Sequence, residues 1–387
     1  MGRAVAVCVV GLGRVGLPTA AMFAAEDSVV GVDRDPAVLS RISRGEVGCE
    51  PGLAASVSSL LASGALELAD HPVPASAYVL CVPTPLTEQR TADLSALYAA
   101  VGSIEQVAAQ RALIVIESTV PVGTTDALAG RLRHTIPGAR VAHCPERVLP
   151  GDALAEIISN DRLVGGVDVG STQAAVTLLS KVIQGTLHRT DAITAELAKL
   201  VENASRDVEL ALAHTVAQLA EVHGVNPWQL RALVNQHPRV HLLEPGIGVG
   251  GHCLPIDPWF LVAGAPGATA LLRTARRIND GVPELNAQRI RRMVPPPARV
   301  AVLGLAYKPD IDDLRGSPAL AFARALAADY DVVVTDPFVA APDDLRGVSL
   351  GEALAREVVV LAVAHTPYRA LTLRGDQIGI DLVGGWR

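Results

Sequence analysis

Short runs of β-branched residues alternate with Ala-rich stretches through the first half of the chain. "AVAVCVV", "VVGVD", "AYVLCVP", "ALIVIEST" and "ARVAHCP" each have the length and composition of a strand buried on both faces. The stretches between them are amphipathic, so the pattern predicts strand–helix–strand units and a parallel sheet with helices on both sides. Near residue 188 the pattern changes. "TAELAKLVENASRDVELALAHTVAQLAEVHG" runs without proline or internal glycine and carries apolar residues three and four apart, which predicts one long helix ending at Gly224. "NPWQLRALVNQ" opens another helix with Pro227 in its first turn, and "RTARRINDGVPELNAQRIRRMV" adds more. After the proline-rich "MVPPPARVAVLGLAYKP" the strand–helix alternation resumes through "DVVVTDP" and "EVVVLAVAHT".

The first strand runs into "VVGLGRVGLP", which sets Gly11, Gly13 and Gly16 in G-x-G-x-x-G spacing at the opening of a helix. The next strand ends on Asp33. Strand, glycine turn, helix and distal acid together predict a dinucleotide site, with the pyrophosphate on the helix N-terminus and Asp33 on the ribose diol. An acid there repels a 2′-phosphate, so the cofactor is expected to be NAD. Asp35, followed by Pro36, reads as a helix cap. "VPTP" and "ESTVPVGTT" place Thr84, Ser118 and Thr119 beyond the carboxyl edge of the same sheet, where ligands lie in such folds. The expected fold is therefore α/β: two Rossmann-like doubly wound domains, residues 1–187 and 295–387, joined by a central helical domain, residues 188–294. The two α/β halves look like a loose duplication without an alignable repeat.

Composition narrows the function. Half of the 387 residues are hydrophobic and only 3% are aromatic, so the core is built from small aliphatic side chains. The formal charge of −7 is spread along the chain with no basic run, which argues against nucleic acid as a partner. The apolar run 358–364 has the length of a buried strand and is far too short to span a bilayer, and nothing reads as a signal peptide or lipid anchor. Five cysteines without CxxC spacing disfavour a disulfide framework or zinc site and suit a reducing cytoplasm. Cys8 and Cys81, inside strand-like runs, read as small core residues. Pro238 between His237 and His241 argues against a helical metal pair, and no metal is expected.

"GIGVGGHCLPIDPWF" places four glycines just before Cys253 and then stiffens the chain with Pro255 and Pro258. In the long helix Lys199 and Asn203 are four apart and leave one face; Arg206 and Asp207 continue the polar stripe, as if it lined a cleft. A solvated helix face is the plain alternative. A lysine near Cys253 would favour the thiolate and could take a proton from a carbinol, and Asn203 could donate to the same developing charge. These pieces suggest alcohol oxidation with a covalent thiol stage, in which a cysteine traps an aldehyde that is then oxidised to a thioester and hydrolysed. "DPWF" is also a good helix start, so capping alone could explain Asp257.

"GLGRVGLP", "VPTP", "ESTVPVGTT", "CPERVLPG", "AKLVENASRD", "HPRVHLLEPGIGVGGHC", "LAYKPDIDDLRGSP" and the terminal "GGWR" together resemble the UDP-sugar 6-dehydrogenases of the UDP-glucose/GDP-mannose dehydrogenase family. "CPERVLPG" and "HPRV…GVGGHC…DPWF" look most like its UDP-N-acetyl-D-mannosamine branch. The resemblance implies NAD-dependent double oxidation of a UDP-sugar, with Cys253 as nucleophile and Lys199 as proton donor or acceptor. Asn203, Arg206, Arg147 and Val148 would contact substrate, with His237 and Arg239 reaching it across a homodimer interface. Gly250 would meet the sugar, and Tyr307 and Lys308 the nucleotide. Gly11, Gly13, Arg14, Val15, Gly16, Asp33, Thr84, Thr119 and Arg315 would serve NAD, and Glu146 and Asp257 would position the hydrolytic water, with Thr119 at the catalytic edge of the cofactor site. Two positions depart from the pattern: Arg14 stands where relatives carry an aromatic, and Val383 where the mannosamine branch tends to have a lysine. UDP-N-acetylglucosamine and UDP-glucose remain alternative substrates, and a β-hydroxyacid dehydrogenase or an NAD-binding sensor are the competing functions.

Overall fold

The computed structural model describes residues 5–47, 52–147 and 153–386, in two compact units, residues 1–201 and 202–387.

The first unit is built on eight strands: β1 (Val7–Val10), β2 (Val29–Val32), β3 (Leu66–Ala69), β4 (Ala77–Leu80), β5 (Leu113–Ile116), β6 (Arg140–His143), β7 (Arg162–Gly166) and β8 (Leu187–Asp191). Their order is β3-β2-β1-β4-β5-β6-β7-β8. The first six run parallel in the order of a dinucleotide-binding sheet, which reverses direction between β1 and β4. β7 departs from the parallel expectation: it lies antiparallel to β6, and β8 pairs parallel to β7. In β1, Val7 and Val9 face one core cluster while Cys8 and Val10 face the other, so the strand is apolar throughout because helices cover both sides. Burial raises the Cys8 thiol to about 11.

The long helix spans Ala192–Val222, and Gly224 beyond it has φ +64°, as the sequence predicts. Helices follow at Pro227–Val234, capped by Asn226, at Asp257–Gly264 and at Ala270–Met293. The second unit contains β9 (Arg299–Leu303), β10 (Asp331–Thr335), β11 (Val358–Leu361) and β12 (Ile378–Asp381), all parallel in the order β10-β9-β11-β12. Its core packs Val300, Val302, Phe322 and Val360 on one sheet face and Ala301, Leu303, Val359 and Tyr368 on the other. No helix among the described residues is long and apolar enough to cross a membrane.

Candidate active site

In the first unit the chain leaves β1 through a glycine turn into the helix Gly16–Ala24. Gly11 has φ +94°, and a Cβ there would stand 2.7 Å from the Cys81 carbonyl oxygen; at Gly16 it would stand 1.7 Å from the oxygen of Gly11. The fold itself requires both glycines. Gly13 is different, because no described residue lies within 4 Å of where its Cβ would be. The turn leaves that space open beside a helix N-terminus, whose amides favour a phosphate. Asp33 is held in place by accepting from Leu12 N (3.0 Å) and Asp35 N (3.0 Å), and it stays partly exposed with lone pairs left for a diol. Thr84 Oγ1 donates to the Thr119 carbonyl at 2.7 Å, drawing together the loops after β4 and β5. Arg14 is exposed and Val15 partly so. These residues bracket the point where strand order reverses, and they fit NAD. Asp35 caps the helix Pro36–Ser43 through Ala37 N, as its sequence suggests.

Behind this turn lies a group that the sequence did not single out. Glu117, buried at the end of β5, accepts from Thr19 Oγ1 (2.8 Å) and Cys81 Sγ (3.0 Å) and pairs with the buried Arg162. It braces the first helix and the β4 loop from within. Cys81 is therefore a hydrogen-bonded thiol at the core edge as well as a small packing residue. Cys144 is buried, and burial pushes its thiol up to about 12. Cys49 lies outside the described residues.

Lys199 is not on a solvated face. Its side chain is 7% exposed, and Nζ donates to the Glu146 carbonyl at 2.6 Å with Glu146 Oε1 at 3.5 Å. His143, three residues before Glu146, is fully buried, and among the described residues neither ring nitrogen has a well-formed hydrogen bond. Burial first, and then the charge of Lys199, push its pKa down to about 3, so the ring is neutral. The Arg147 carbonyl accepts from Asn160 Nδ2 at 2.9 Å. Val148 lies outside the described residues.

In the second unit Cys253 sits half-buried on the turn that opens the helix Asp257–Gly264, and its carbonyl accepts from Ile256 N and Asp257 N, both at 2.9 Å. Asp257 does not cap this helix. The cap position is Ile256, and the 3%-exposed Asp257 carboxylate instead accepts from Asn203 Nδ2 at 2.5 Å. The glycines before the thiol have an internal reason: a Cβ on Gly250 would meet Tyr307 Cβ and Pro318 Cδ at 2.7 Å, and one on Gly251 (φ +89°) would meet the Tyr307 ring at 3.0 Å. Gly251 N also donates to the Arg315 carbonyl at 3.0 Å. The Asp313 carboxylate holds the Arg315 guanidinium more firmly charged, with Tyr307 and Cys253 adding to the effect. Gly246, Gly248, Tyr307, Pro309, Arg369 and Val383 line a cavity of about 380 Å³, with Lys308 partly exposed beside Tyr307. Asp207 does not continue a cleft-lining stripe: it is buried against Arg276 and Asn279, while Arg206 is exposed. His237 and Arg239 are exposed after the helix Pro227–Val234.

Three family models of the UDP-glucose/GDP-mannose dehydrogenase family match in order: its NAD binding domain over residues 5–183, its central domain over 193–281 and its UDP binding domain over 301–379. The chain belongs to this family. It is 40% identical to the NDP-N-acetyl-D-galactosaminuronic acid dehydrogenase of Ralstonia nicotianae, over 98% of this chain and 96% of that protein. It is 38% identical to the UDP-N-acetyl-D-mannosamine dehydrogenase of Salmonella typhi, over 98% and 99%. The solved UDP-D-ManNAc dehydrogenase of Pyrococcus horikoshii superposes with a TM-score of 0.91 at 36% identity, covering 98% of this chain and 96% of that one. The chain is thus an NAD-dependent sugar-nucleotide dehydrogenase, an oxidoreductase with the expected α/β architecture.

Proposed function

We propose that the protein oxidises the C6 hydroxyl of UDP-N-acetyl-D-mannosamine twice, to the uronate, through a thiohemiacetal and a thioester on Cys253. The observation that carries this reading is the thiol itself, on a turn bonded to the first residue of a helix whose carboxylate, Asp257, is tied to Asn203. A single oxidation needs no such thiol. In the first oxidation the C6 hydroxyl proton passes to water, and the charged Nζ of Lys199, steered by the Glu146 carbonyl, steadies the alkoxide as the hydride leaves. Asn203 donates to the oxygen as charge develops. The Cys253 thiolate then forms a carbon–sulfur bond with the aldehyde carbon, and the alkoxide takes up a proton. The second oxidation converts that adduct to the thioester. Water, oriented by Asp257 and Glu146, breaks the carbon–sulfur bond and releases the acid and the thiol. Gly11, Gly13, Arg14, Val15, Gly16, Asp33, Thr84, Thr119 and Arg315 would hold NAD, which would supply the hydride acceptor, a fresh molecule for each of the two oxidations.

Arg147, Val148, Arg206 and Gly250 are assigned to the sugar and Tyr307 and Lys308 to the nucleotide. The names of the relatives support an N-acetylated sugar and leave N-acetylgalactosamine as the second reading, on the 40% match. Val383 lines the cavity where a lysine tends to stand in the mannosamine branch, so it bears on this choice. A homodimer is supported by an apolar stripe left exposed on the long helix, Ile193, Leu197 and Val201 and then Leu212, Leu219 and Val222; His237 and Arg239 would reach the partner's substrate. A reduced Cys253 suits the cytoplasm. Comparing kcat/KM for the UDP forms of N-acetylmannosamine, N-acetylgalactosamine, N-acetylglucosamine and glucose tests the substrate. A preference of tenfold or more for N-acetylmannosamine is expected, and a preference for any other would move the assignment.

A further inference from the structure

The turn after the first strand is hydrogen-bonded alike in the two α/β halves, although the helix follows at once in the first, at Gly16, and only at Pro318 in the second. In the first, Gly11 (φ +94°) donates to Val32 O at 2.8 Å, Leu12 N donates to Asp33 Oδ2 at 3.0 Å, and Asp35 N donates to Asp33 Oδ1 at 3.0 Å. In the second, Gly304 (φ +94°) donates to Thr335 O at 2.9 Å, Leu305 N donates to Asp336 Oδ2 at 2.7 Å, and Phe338 N donates to Asp336 Oδ1 at 2.8 Å. β9, β10 and β11 pair as β1, β2 and β4 do. Asp336 is thus the counterpart of Asp33, the acid that reads a ribose diol.

That acid is closed off from within. Its side chain is fully buried, and His365 Nε2, equally buried, lies 2.9 Å from Asp336 Oδ2. Ala306 stands where the first half has Gly13. His365 Nδ1 accepts from Asp310 N at 2.9 Å, so the hydrogen is on Nε2 and points at Asp336. Burial opposes the charge on Asp336, but His365 and the Leu305 and Phe338 amides outweigh it and hold the carboxyl below its usual range. Asp310 has φ +59°, a left-handed backbone that a side-chain-bearing residue rarely adopts, and its carboxylate accepts from Thr366 N and Oγ1 at 2.8 and 2.7 Å. Phe338 and Tyr368 flank the imidazole. The segment fixed in this way, residues 305–310, holds Tyr307 and Lys308.

We infer that His365 occupies the diol-accepting face of a duplicated nucleotide turn, barring a second dinucleotide there, and so acts as the positioning residue that holds Tyr307 and Lys308 for the pyrimidine nucleotide. This rests on the proposed assignment of Tyr307 and Lys308 to the nucleotide. His365 itself touches no substrate; it works through Asp336 and Asp310.

The test uses the full-length protein as wild type, His365→Phe, which keeps the ring packing and loses both polar contacts, and His365→Asn, which can restore the contact to Asp310 N. Dissociation constants for UDP and for NAD are measured by titration calorimetry, with KM for the UDP-sugar. His365→Phe should weaken UDP and raise KM for the sugar nucleotide about tenfold or more with NAD affinity unchanged, and His365→Asn should recover part of the loss. Equal UDP affinity in wild type and His365→Phe would overturn the inference, as would parallel losses for UDP and NAD, which mark a general structural defect. Wild type that fails to bind UDP would instead sink the assignment of the nucleotide to this unit. If His365→Phe does not fold, Asp310→Ala, which cuts the lacing to Thr366, carries the same expectation: weaker UDP with unchanged NAD.

Discussion

Gly13 and Gly16 share one turn but answer to different demands. A Cβ at Gly16 collides with Gly11 O, whereas one at Gly13 meets no described residue. Gly13→Ala should therefore fold with its melting temperature little changed and lose NAD affinity about tenfold or more by titration, while Gly16→Ala should fail to fold as a stable protein. His143 gives a second residue-level expectation. Its pKa falls from an ordinary 6.5 to about 3, so the unfolded chain binds a proton there that the folded chain does not. Stability tied to this group is complete above pH 6.5 and is lost as pH falls toward 3, amounting to about 2 kcal/mol by pH 5. His143→Phe should then show a smaller drop in melting temperature between pH 7 and pH 5 than wild type; an equal drop would count against a buried neutral imidazole. Asp33 and the Asp35 cap were readable in the sequence because their partners lie within one βαβ unit. Glu117–Arg162 and Asp207–Arg276 were not, because each joins residues far apart in the chain and only the fold brings them together.

The elements were legible where hydrophobic period and breakers agree. The apolar strands, the helix ending before Gly224 and the helix opened by Pro227 all follow that pattern. The antiparallel β7 was not legible, since "RLVGG" has the same composition whichever way it runs and only pairing fixes its direction. The glycine-rich segment before Cys253 was legible as special. Its packing against Tyr307 and Pro318 was not, because those partners lie far along the chain. Gly250→Ala should consequently disturb the 307–318 segment and cut kcat/KM by two orders of magnitude or more, whereas Gly264→Ala, exposed and with no described residue within 4 Å of its Cβ, should stay within a few-fold of wild type. Asp257, read as a possible cap, is a buried acceptor for Asn203 at the first helical position. Asp257→Asn should lower kcat by roughly 10²-fold, the scale of a lost acid–base group, with NAD affinity unchanged.

At the scale of the whole molecule, the family and its NAD and UDP binding domains agree with the sequence reading of two Rossmann-like parts around a helical centre. The exposed apolar residues of the long helix give the proposed homodimer a direct check: the double variant Leu212→Glu, Leu219→Glu should sediment as a monomer where wild type sediments as a dimer. The central claim concerns the thiol. The measurement that tests it is the number of NADH formed per UDP-N-acetyl-D-mannosamine consumed, for wild type and Cys253→Ala. Two NADH per sugar for wild type, with the variant unable to reach the acid, is the predicted result. One NADH per sugar, or a Cys253→Ala variant that still yields two, would contradict it.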